Sequence, residues 1–367
     1  MAGIYIHIPF CKKRCIYCDF FSSVSMKEKP IYIQAVCEEL ISRRDYLGEK
    51  VETIYFGGGT PSLLSKDDFE LIFKTIRSNY TVSENPEITL EANPDDLTSE
   101  YLGMIEQLPF NRISMGVQSL NEEELRFLNR RHDASRVFSV FKDLKDSKGI
   151  KNISVDLIYG LPNQDENTWR ETLKQVLELD VRHISAYHLI YEEGTKLYRL
   201  WTQQQVRMIE EDLSLRLFEI LIDTLESAGF EHYEISNFAR PGFHSRHNSS
   251  YWEGKPYLGV GASAHSYNGA SRSWNSSSLD YWKYPSETEI INTETAYNEF
   301  ILTRLRTKKG VSPEELKALF GDEKLFGFRR KADKYLEKEL LRRVGENYTL
   351  SRNGLFISDG IMSDLMD

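Results

Sequence analysis

Hydrophobic and polar positions in the first two hundred residues repeat one pattern. A short run rich in β-branched and aromatic residues is followed by a turn and then by an amphipathic stretch. The runs predict β-strands and the amphipathic stretches predict helices. Strands that alternate with helices form parallel βαβ units with right-handed connections. The predicted strands begin at Ile4, Glu52, Glu87, Arg112, Ile153 and His183.

This number of strands is too small for a closed eight-stranded barrel, and no GxGxxG pattern marks a dinucleotide-binding sheet. We therefore predict an α/β fold, an open (β/α)6 partial TIM barrel. In barrels of this kind the chemistry lies at the C-terminal ends of the strands. The helices predicted between the strands include Tyr32–Leu47, Lys66–Tyr80 and Asp165–Leu179.

The pattern changes after the sixth strand. A periodic helix is predicted over Gln205–Phe230, with Gly229 near its C-cap, and Tyr233–Trp282 is typical of loops and short strands. From about residue 297 helices precede an apparent hairpin with Asn353-Gly354 at its turn, an order that resembles a winged helix. We predict a core of residues 1–230 and an α+β C-terminal domain of residues 231–367.

Composition narrows the function classes. The chain has 367 residues and a formal net charge of −10, which gives no electrostatic footprint for nucleic acid. The last seventy residues carry nearly as many acidic as basic side chains, which favours a structural or docking lobe over a DNA-reading wing. The N-terminal residues do not resemble a signal peptide, and no segment has the roughly 20 apolar residues of a membrane span. We expect a cytoplasmic protein.

Three of the four cysteines lie in the stretch CKKRCIYC, as Cys11, Cys15 and Cys18. This C-x3-C-x2-C spacing follows the first predicted strand, and crowded thiols do not form a disulfide framework. Thiolates select zinc or iron–sulfur clusters. A [4Fe–4S] cluster with one open iron is favoured. The alternatives are zinc, with Asp19 or His7 as fourth ligand, and coincidence.

Polar and glycine residues follow the other strands at the same predicted edge. GGGTP (Gly57–Pro61) ends the second strand, and its glycines let a backbone approach a ligand. Glu91, Gln118 and Asp156 end the third, fourth and fifth strands, and Arg130 could neutralise a carboxylate. Each residue alone reads as a turn, a cap or a surface charge. Together they form a polar rim beside the cysteine loop.

CxxxCxxC on the first βα loop of a (β/α)6 barrel resembles the radical S-adenosylmethionine (SAM) proteins. The resemblance implies that the amino and carboxylate groups of SAM complete the cluster. It implies that Tyr17 lies near the adenine and that the glycine loop meets the amino group. It implies SAM contacts from Tyr5, Tyr17, Gly58, Gly59, Thr60, Glu91, Gln118, Arg130 and Asp156.

The motifs GIYIHIPFCKKRCIYCDF, FGGGTPSLL, MGVQS, DLIYGLPNQ and HNSSYW resemble the HemN-like group. This group holds oxygen-independent coproporphyrinogen III oxidases and HemW-type heme chaperones. The oxidases have a further cysteine where this chain has Phe20, and a longer segment before the first strand. The resemblance therefore implies a chaperone that passes heme to an acceptor protein, with possible peripheral contact to a membrane-bound acceptor. The alternatives are the oxidase and a radical SAM enzyme of unrelated substrate.

HNSSYW fits the HNxxYW motif of the chaperone branch. An imidazole can ligate heme iron and aromatic faces can cover the macrocycle. The resemblance implies that His247, Tyr251 and Trp252 bind heme, with His244 and His265 as alternative ligands. Without it, a buried aromatic cluster with a hydrogen-bonded histidine would be the simpler interpretation.

Overall fold

The computed structural model describes residues 2–145 and 149–367. All six strands predicted from the alternating pattern are present, and each is paired in parallel with the next. Their registers bring the C-terminal ends to one edge of the sheet. These strands are β1 (Ala2–Ile8), β2 (Val51–Gly58), β3 (Val82–Ala92), β4 (Arg112–Gln118), β5 (Asn152–Tyr159) and β6 (His183–His188).

Helices connect and cover these strands. Polar residues begin several of them: the Ser65 hydroxyl accepts from the Asp68 amide, and the Asp165 carboxylate accepts from the Thr168 amide. The helices are α1 (Lys29–Ser42), α2 (Lys66–Asn79), α3 (Ser99–Ile105), α4 (Glu122–Phe127), α5 (Ala134–Lys145), α6 (Glu166–Glu178), α7 (Lys196–Thr202) and α8 (Glu211–Ser227).

The next segment lengthens the same sheet at both edges. One strand, β9, pairs in parallel with β1, and the remaining strands pair antiparallel. The elements are β7 (Glu231–Glu234), β8 (Asn237–Ala239), α9 (Arg246–Trp252), β9 (Tyr257–Val260), β10 (His265–Tyr267), β11 (Ser271–Trp274) and β12 (Glu287–Ile290). The order β12-β11-β10-β9-β1-β2-β3-β4-β5-β6-β8-β7 is that of an open sheet, as predicted.

A separate lobe follows the sheet. Its long helix α11 is broken at Gly321, whose φ of 84° is not helical. The lobe has its own hydrophobic cluster, which includes Tyr297, Phe328 and Tyr348. Its elements are α10 (Thr293–Leu305), α11 (Pro313–Glu337), β13 (Leu341–Val344), β14 (Asn347–Leu350), α12 (Arg352–Phe356) and α13 (Ser358–Leu365).

Two predicted elements are misplaced. The helix predicted over Gln205–Phe230 begins only at Glu211: α7 ends at Thr202, Gln204 has a φ of 57°, and the chain is not helical again until Glu211. The hairpin lies earlier than predicted: β13 and β14 turn at Gly345-Glu346, where Gly345 supplies the positive φ. Asn353-Gly354 instead falls in α12, whose first turn is capped by Ser351.

Strands on both sides of residue 230 belong to one sheet, and the larger hydrophobic cluster extends from Ile4 to Tyr281. The domain boundary at residue 230 stays a prediction. No helix within residues 2–145 and 149–367 is long and apolar enough to cross a membrane.

Candidate functional site: two adjoining cavities

The three cysteines of CKKRCIYC lie on the loop after β1 and line a cavity of about 410 Å³ at the C-terminal edge of the strands. We call this space the cysteine cavity. Cys11 is 8% exposed, and Cys15 and Cys18 are half-buried. Eight residues predicted to contact SAM line the same cavity: Tyr17, Gly58, Gly59, Thr60, Glu91, Gln118, Arg130 and Asp156.

A chain of hydrogen bonds joins two of the thiols. The Thr60 hydroxyl donates to Cys11 Sγ at 3.4 Å, and Arg130 Nη1 donates to Cys15 Sγ at 3.2 Å. Asn93 lies between these donors: its Nδ2 donates to Thr60 Oγ1 at 3.3 Å, and its Oδ1 accepts from Arg130 Nη2 at 2.5 Å. Donors aimed at sulfur stabilise the thiolate form.

Burial opposes ionisation of two of the thiols. It raises the pKa of Cys11 and raises the pKa of Cys18 to about 11. Cationic iron would offset this effect, since metal binding releases the thiol protons. The three thiols on one loop, with hydrogen-bond donors behind them, therefore fit an iron–sulfur cluster.

A single zinc ion fits less well. Within the described residues, no three His, Cys, Asp or Glu side chains converge as ligands of one ion would. His7, one of the two proposed fourth ligands, has both ring nitrogens engaged, with the Tyr5 hydroxyl at 3.2 Å and the Phe21 carbonyl at 3.0 Å.

The glycine loop is tightly packed against the cysteine segment. Gly58 has a φ of 105°, and a Cβ placed there would lie 2.5 Å from the His7 ring. A Cβ on Gly59 would lie 2.8 Å from the Ile8 carbonyl oxygen. These glycines are therefore required by their contacts with the strand that leads to Cys11, a constraint that the sequence pattern did not reveal.

Two carboxylates face the cavity from neighbouring strands. Glu91 accepts from the Tyr55 hydroxyl at 2.7 Å and from the Gly58 amide at 3.1 Å, and burial raises its pKa to about 7. Burial also raises the pKa of Asp156, which accepts from the Ser114 hydroxyl at 3.3 Å. A cationic amino group in the cavity would offset both effects.

Two further features of the wall indicate a ligand. Arg130 lines the cavity, and its buried Nε has no hydrogen-bond partner among the described residues. Gln118 holds a φ of 67°, which costs free energy for a residue with a side chain. Such strain is common where a side chain is aimed into a binding site.

The sequence pattern missed Asn93 and Asp96. Buried Asp96 accepts from Lys12 Nζ at 2.8 Å and from Arg131 Nη2 at 3.0 Å, and the Ser62 hydroxyl donates to it at 3.1 Å. It therefore ties the cysteine loop to the glycine loop. Both residues follow β3 in the stretch EANPDD, and their position just after a strand was the available signal.

A second cavity, of about 880 Å³, lies between the β9–β11 edge of the sheet and the lobe. We call it the aromatic cavity. Phe20, 61% exposed, lines both cavities, which therefore adjoin. The aromatic cavity is lined by ring side chains together with charged residues: Tyr5, His7, Phe20, Phe21, Tyr251, Trp252, Glu253, Tyr257, His265, Tyr267, Arg272, Glu299, Phe300, Arg304 and Phe320.

Comparison with known proteins identifies the family. A model of the radical SAM superfamily matches residues 5–176, and one of the HemN C-terminal domain matches residues 291–357. A heme chaperone HemW of Lactococcus lactis is 36% identical, with 88% of this chain and 86% of the relative covered. The chain belongs to the HemW family. A HemW of Bacillus subtilis is 34% identical, with 88% and 87% covered.

The fold of this HemW-family chain agrees with one solved structure over its whole length. That structure is the radical SAM enzyme coproporphyrinogen III oxidase (HemN) of Escherichia coli, with a TM-score of 0.85, 23% identity, and 100% of this chain and 90% of that chain covered. At this identity the likeness concerns the fold alone. Membership of the superfamily implies a [4Fe–4S] cluster and SAM.

The HNSSYW motif of this HemW-family chain lies on the short helix α9, where loops and strands were predicted. Tyr251 and Trp252 line the aromatic cavity. His247 is 1% exposed and does not. Its Nδ1 is 2.7 Å from the Thr53 hydroxyl and its Nε2 is 2.8 Å from the Tyr251 hydroxyl, so both ring nitrogens are engaged.

Tyr5, also predicted to contact SAM, lies close to Glu91, since both side chains adjoin Gly57. Its side chain lines the aromatic cavity, stacks on Tyr55 and pairs with His7. Of the two alternative heme ligands, His244 contacts Glu231 at 2.8 Å, outside the lining of the aromatic cavity, whereas His265 lies in that lining.

Proposed function

We propose that this chain is a heme chaperone, which carries a SAM-ligated [4Fe–4S] cluster in the cysteine cavity and heme in the aromatic cavity. It passes the heme to an acceptor protein. The observation that carries the proposal is the adjacency of the two cavities through Phe20. The choice of heme as the ligand, and of chaperone as the activity, follows from the similarity to heme chaperones HemW.

The residues of the cysteine cavity have distinct roles in this proposal. Cys11, Cys15 and Cys18 ligate three irons, and the bound cluster supplies an open iron for SAM. Arg130 supplies positive charge for the SAM carboxylate, while Glu91 and Asp156 balance the charge of the amino group.

The remaining SAM contacts are proposed from position. Tyr17 covers the adenine, the Gly58–Thr60 loop offers backbone groups, and Gln118 contributes an amide from its strained position. The aromatic cavity has a size typical of ligand pockets, roughly 300–1,000 Å³, and its ring faces suit a flat macrocycle. Tyr251 and Trp252 form part of that surface.

The acceptor is a protein reached in the cytoplasm or at a membrane surface. Delivery needs a route by which heme can leave, and the aromatic cavity lies at the surface between the sheet edge and the lobe. Arg272 and Glu299, which line this cavity and are partly exposed, are charged groups that an acceptor could contact.

The oxidase alternative is tested in the same experiment. Anaerobically reconstituted protein is offered hemin and, separately, coproporphyrinogen III with SAM and a reductant. We expect a Soret band on titration with hemin and no protoporphyrinogen. Formation of protoporphyrinogen would instead establish the oxidase, and absence of hemin binding would rule out the chaperone.

A further inference from the structure

The eight histidines of the chain differ in whether their rings are engaged. Seven of them take part in at least one hydrogen bond through a ring nitrogen: His7, His132, His183, His188, His232, His244 and His247. Among the described residues no partner contacts the ring nitrogens of His265, and its side chain is exposed. His265 therefore differs from His7, the other histidine that lines the aromatic cavity, because both ring nitrogens of His7 are engaged.

The β10–β11 hairpin directs His265 into the aromatic cavity. Its antiparallel register places His265 opposite Trp274 and Tyr267 opposite Arg272. Alternate residues of a strand share a face, so these four side chains lie together on one face of the hairpin. Three of them line the cavity, while the intervening Ser266 is buried on the other face.

The surroundings of His265 keep its imidazole in the form that ligates iron. Partial burial and the nearby Arg272 guanidinium both lower its pKa below the ordinary value. A neutral ring has a free lone pair for iron near neutral pH. The indole of Trp274 stacks on the ring with 5.8 Å between centroids and holds its plane.

We propose that His265 is the axial ligand of heme in the aromatic cavity and that Arg272 binds a heme propionate beside it. This inference rests on the proposed function and assigns the contact residues of that site. Iron is ligated from the hairpin, and the aromatic residues of α9 supply only a covering surface.

His247 is a poorer candidate for the same role. Its ring is buried, and turning it toward the cavity would break its contacts with both Thr53 and Tyr251. It also stacks on Tyr55, with 4.9 Å between centroids. Breaking buried hydrogen bonds leaves unpaired polar groups, which the iron bond would have to offset. His265 needs no such rearrangement.

Arg272 is the better placed of two arginines in the cavity wall. Arg304 donates to the Trp252 carbonyl at 2.5 Å and to Glu315 at 2.6 Å, so its guanidinium is occupied by the protein. Arg272 Nη2 donates to Glu299 at 2.6 Å, and the guanidinium also contacts the Tyr257 hydroxyl. A guanidinium carries five N–H donors and matches the geometry of a carboxylate, so it can bind a propionate beside these partners.

The test is titration with hemin, monitored by absorbance, of wild type, His265→Ala, His247→Ala and the surface control His244→Ala. The full-length, cluster-reconstituted protein is used, and iron–sulfur content is measured for each variant. We expect His265→Ala to lose the spectrum of imidazole-ligated heme and to bind hemin about tenfold more weakly. Added imidazole should restore the spectrum, and His244→Ala should match wild type.

The Arg272→Gln variant tests the proposed contact between Arg272 and a heme propionate. It should weaken hemin binding but leave the ligation spectrum unchanged. Its effect should be much smaller on the binding of a porphyrin whose propionates are esterified. His265→Gln retains polarity and similar bulk, so it separates loss of ligation from a folding defect.

The outcomes distinguish this inference from the proposed function. If wild type binds hemin and His265→Ala retains the same spectrum and affinity, His265 is not the ligand and the chaperone proposal stands. If the ligation spectrum is lost only in His247→Ala, then His247 of α9 is the ligand of heme iron. If wild type binds no hemin, both proposals fail.

Discussion

The cysteine cavity is walled by hydrogen-bonding side chains at the ends of parallel strands, whereas the aromatic cavity is walled by rings from distant segments. In the first, Asn93 and Asp96 join loops into one network. In the second, Tyr5, Tyr251 and Phe300 come from different elements and line one cavity. A polar network fixes geometry because each buried group needs its partner. Ring faces impose fewer directional constraints on a ligand, which would suit the release of heme in the proposed function.

Substitution of the cysteines should give the largest difference between the effects on the two cavities. Replacing Cys11, Cys15 or Cys18 by Ala should abolish the air-sensitive chromophore, because each supplies one thiolate to the cluster. Hemin binding should survive, since none of the three lines the aromatic cavity. Iron and sulfide analysis, beside hemin titration, measures both effects.

Cys37→Ala is the matched control. Cys37 is 6% exposed on α1 and packs in the hydrophobic core, so it should be dispensable for iron. Equal iron loss in this variant would contradict a cluster held by three cysteines.

A second large effect is expected at the glycine loop. Gly58→Val combines a side chain at a φ of 105° with a contact to His7. We expect the free energy of unfolding to fall by about 2–4 kcal/mol and iron to be lost with it. Denaturant unfolding of the anaerobic protein measures the first quantity. Gly48→Val is the control, because a Cβ there meets nothing within 4 Å. A stable Gly58→Val variant that keeps its iron and loses only SAM binding would show that Gly58 acts through contact with SAM and not through folding.

A smaller effect should follow from Asn93→Ala, which removes the link between the donors to Cys11 and Cys15. The hydrogen bond from Arg130 is charge-assisted, and such bonds contribute about 1.5–3 kcal/mol. We expect the cluster to be lost to a chelator about tenfold faster, with hemin affinity unchanged. Asn79→Ala removes a hydrogen bond to a helix carbonyl and should leave the rate as in wild type. Unchanged cluster loss in Asn93→Ala would mean that the thiols do not depend on this network.

The contrast between the cavities also explains what the sequence could predict. The strands and the residues at their ends followed from local periodicity, because parallel strands must align their C-terminal ends. The position of the three cysteines, Glu91 and Asp156 at the same edge was predicted in this way, and the structure brings these residues into one cavity. The close packing of Gly58 on His7 could not be predicted, since it depends on how two strands meet.

The aromatic cavity could not be assembled from local pattern. Its walls come from β1, α9, the β10–β11 hairpin and α10, which are brought together only by the folded chain. HNSSYW looked like a ligand motif, yet its histidine is bonded to residues of β2 and α9. The hairpin of the lobe was misplaced for a similar reason: Asn353-Gly354 has turn chemistry, but Ser351 caps a helix there.

The smallest effect is expected at Trp252, one ring among several in the aromatic cavity. Its indole lies under the Arg306 guanidinium, 4.7 Å from the ring centroid, and contributes a face without ligating iron. Trp252→Ala should weaken hemin about fivefold, which corresponds to about 1 kcal/mol of lost aromatic contact, and should leave the ligation spectrum unchanged. Trp282→Ala, at a half-exposed site that does not line the aromatic cavity, is the control in the same absorbance titration. Many rings share the contact area, so no single ring should be essential. Loss of all hemin binding in Trp252→Ala would contradict this and would show that Trp252 dominates the contact.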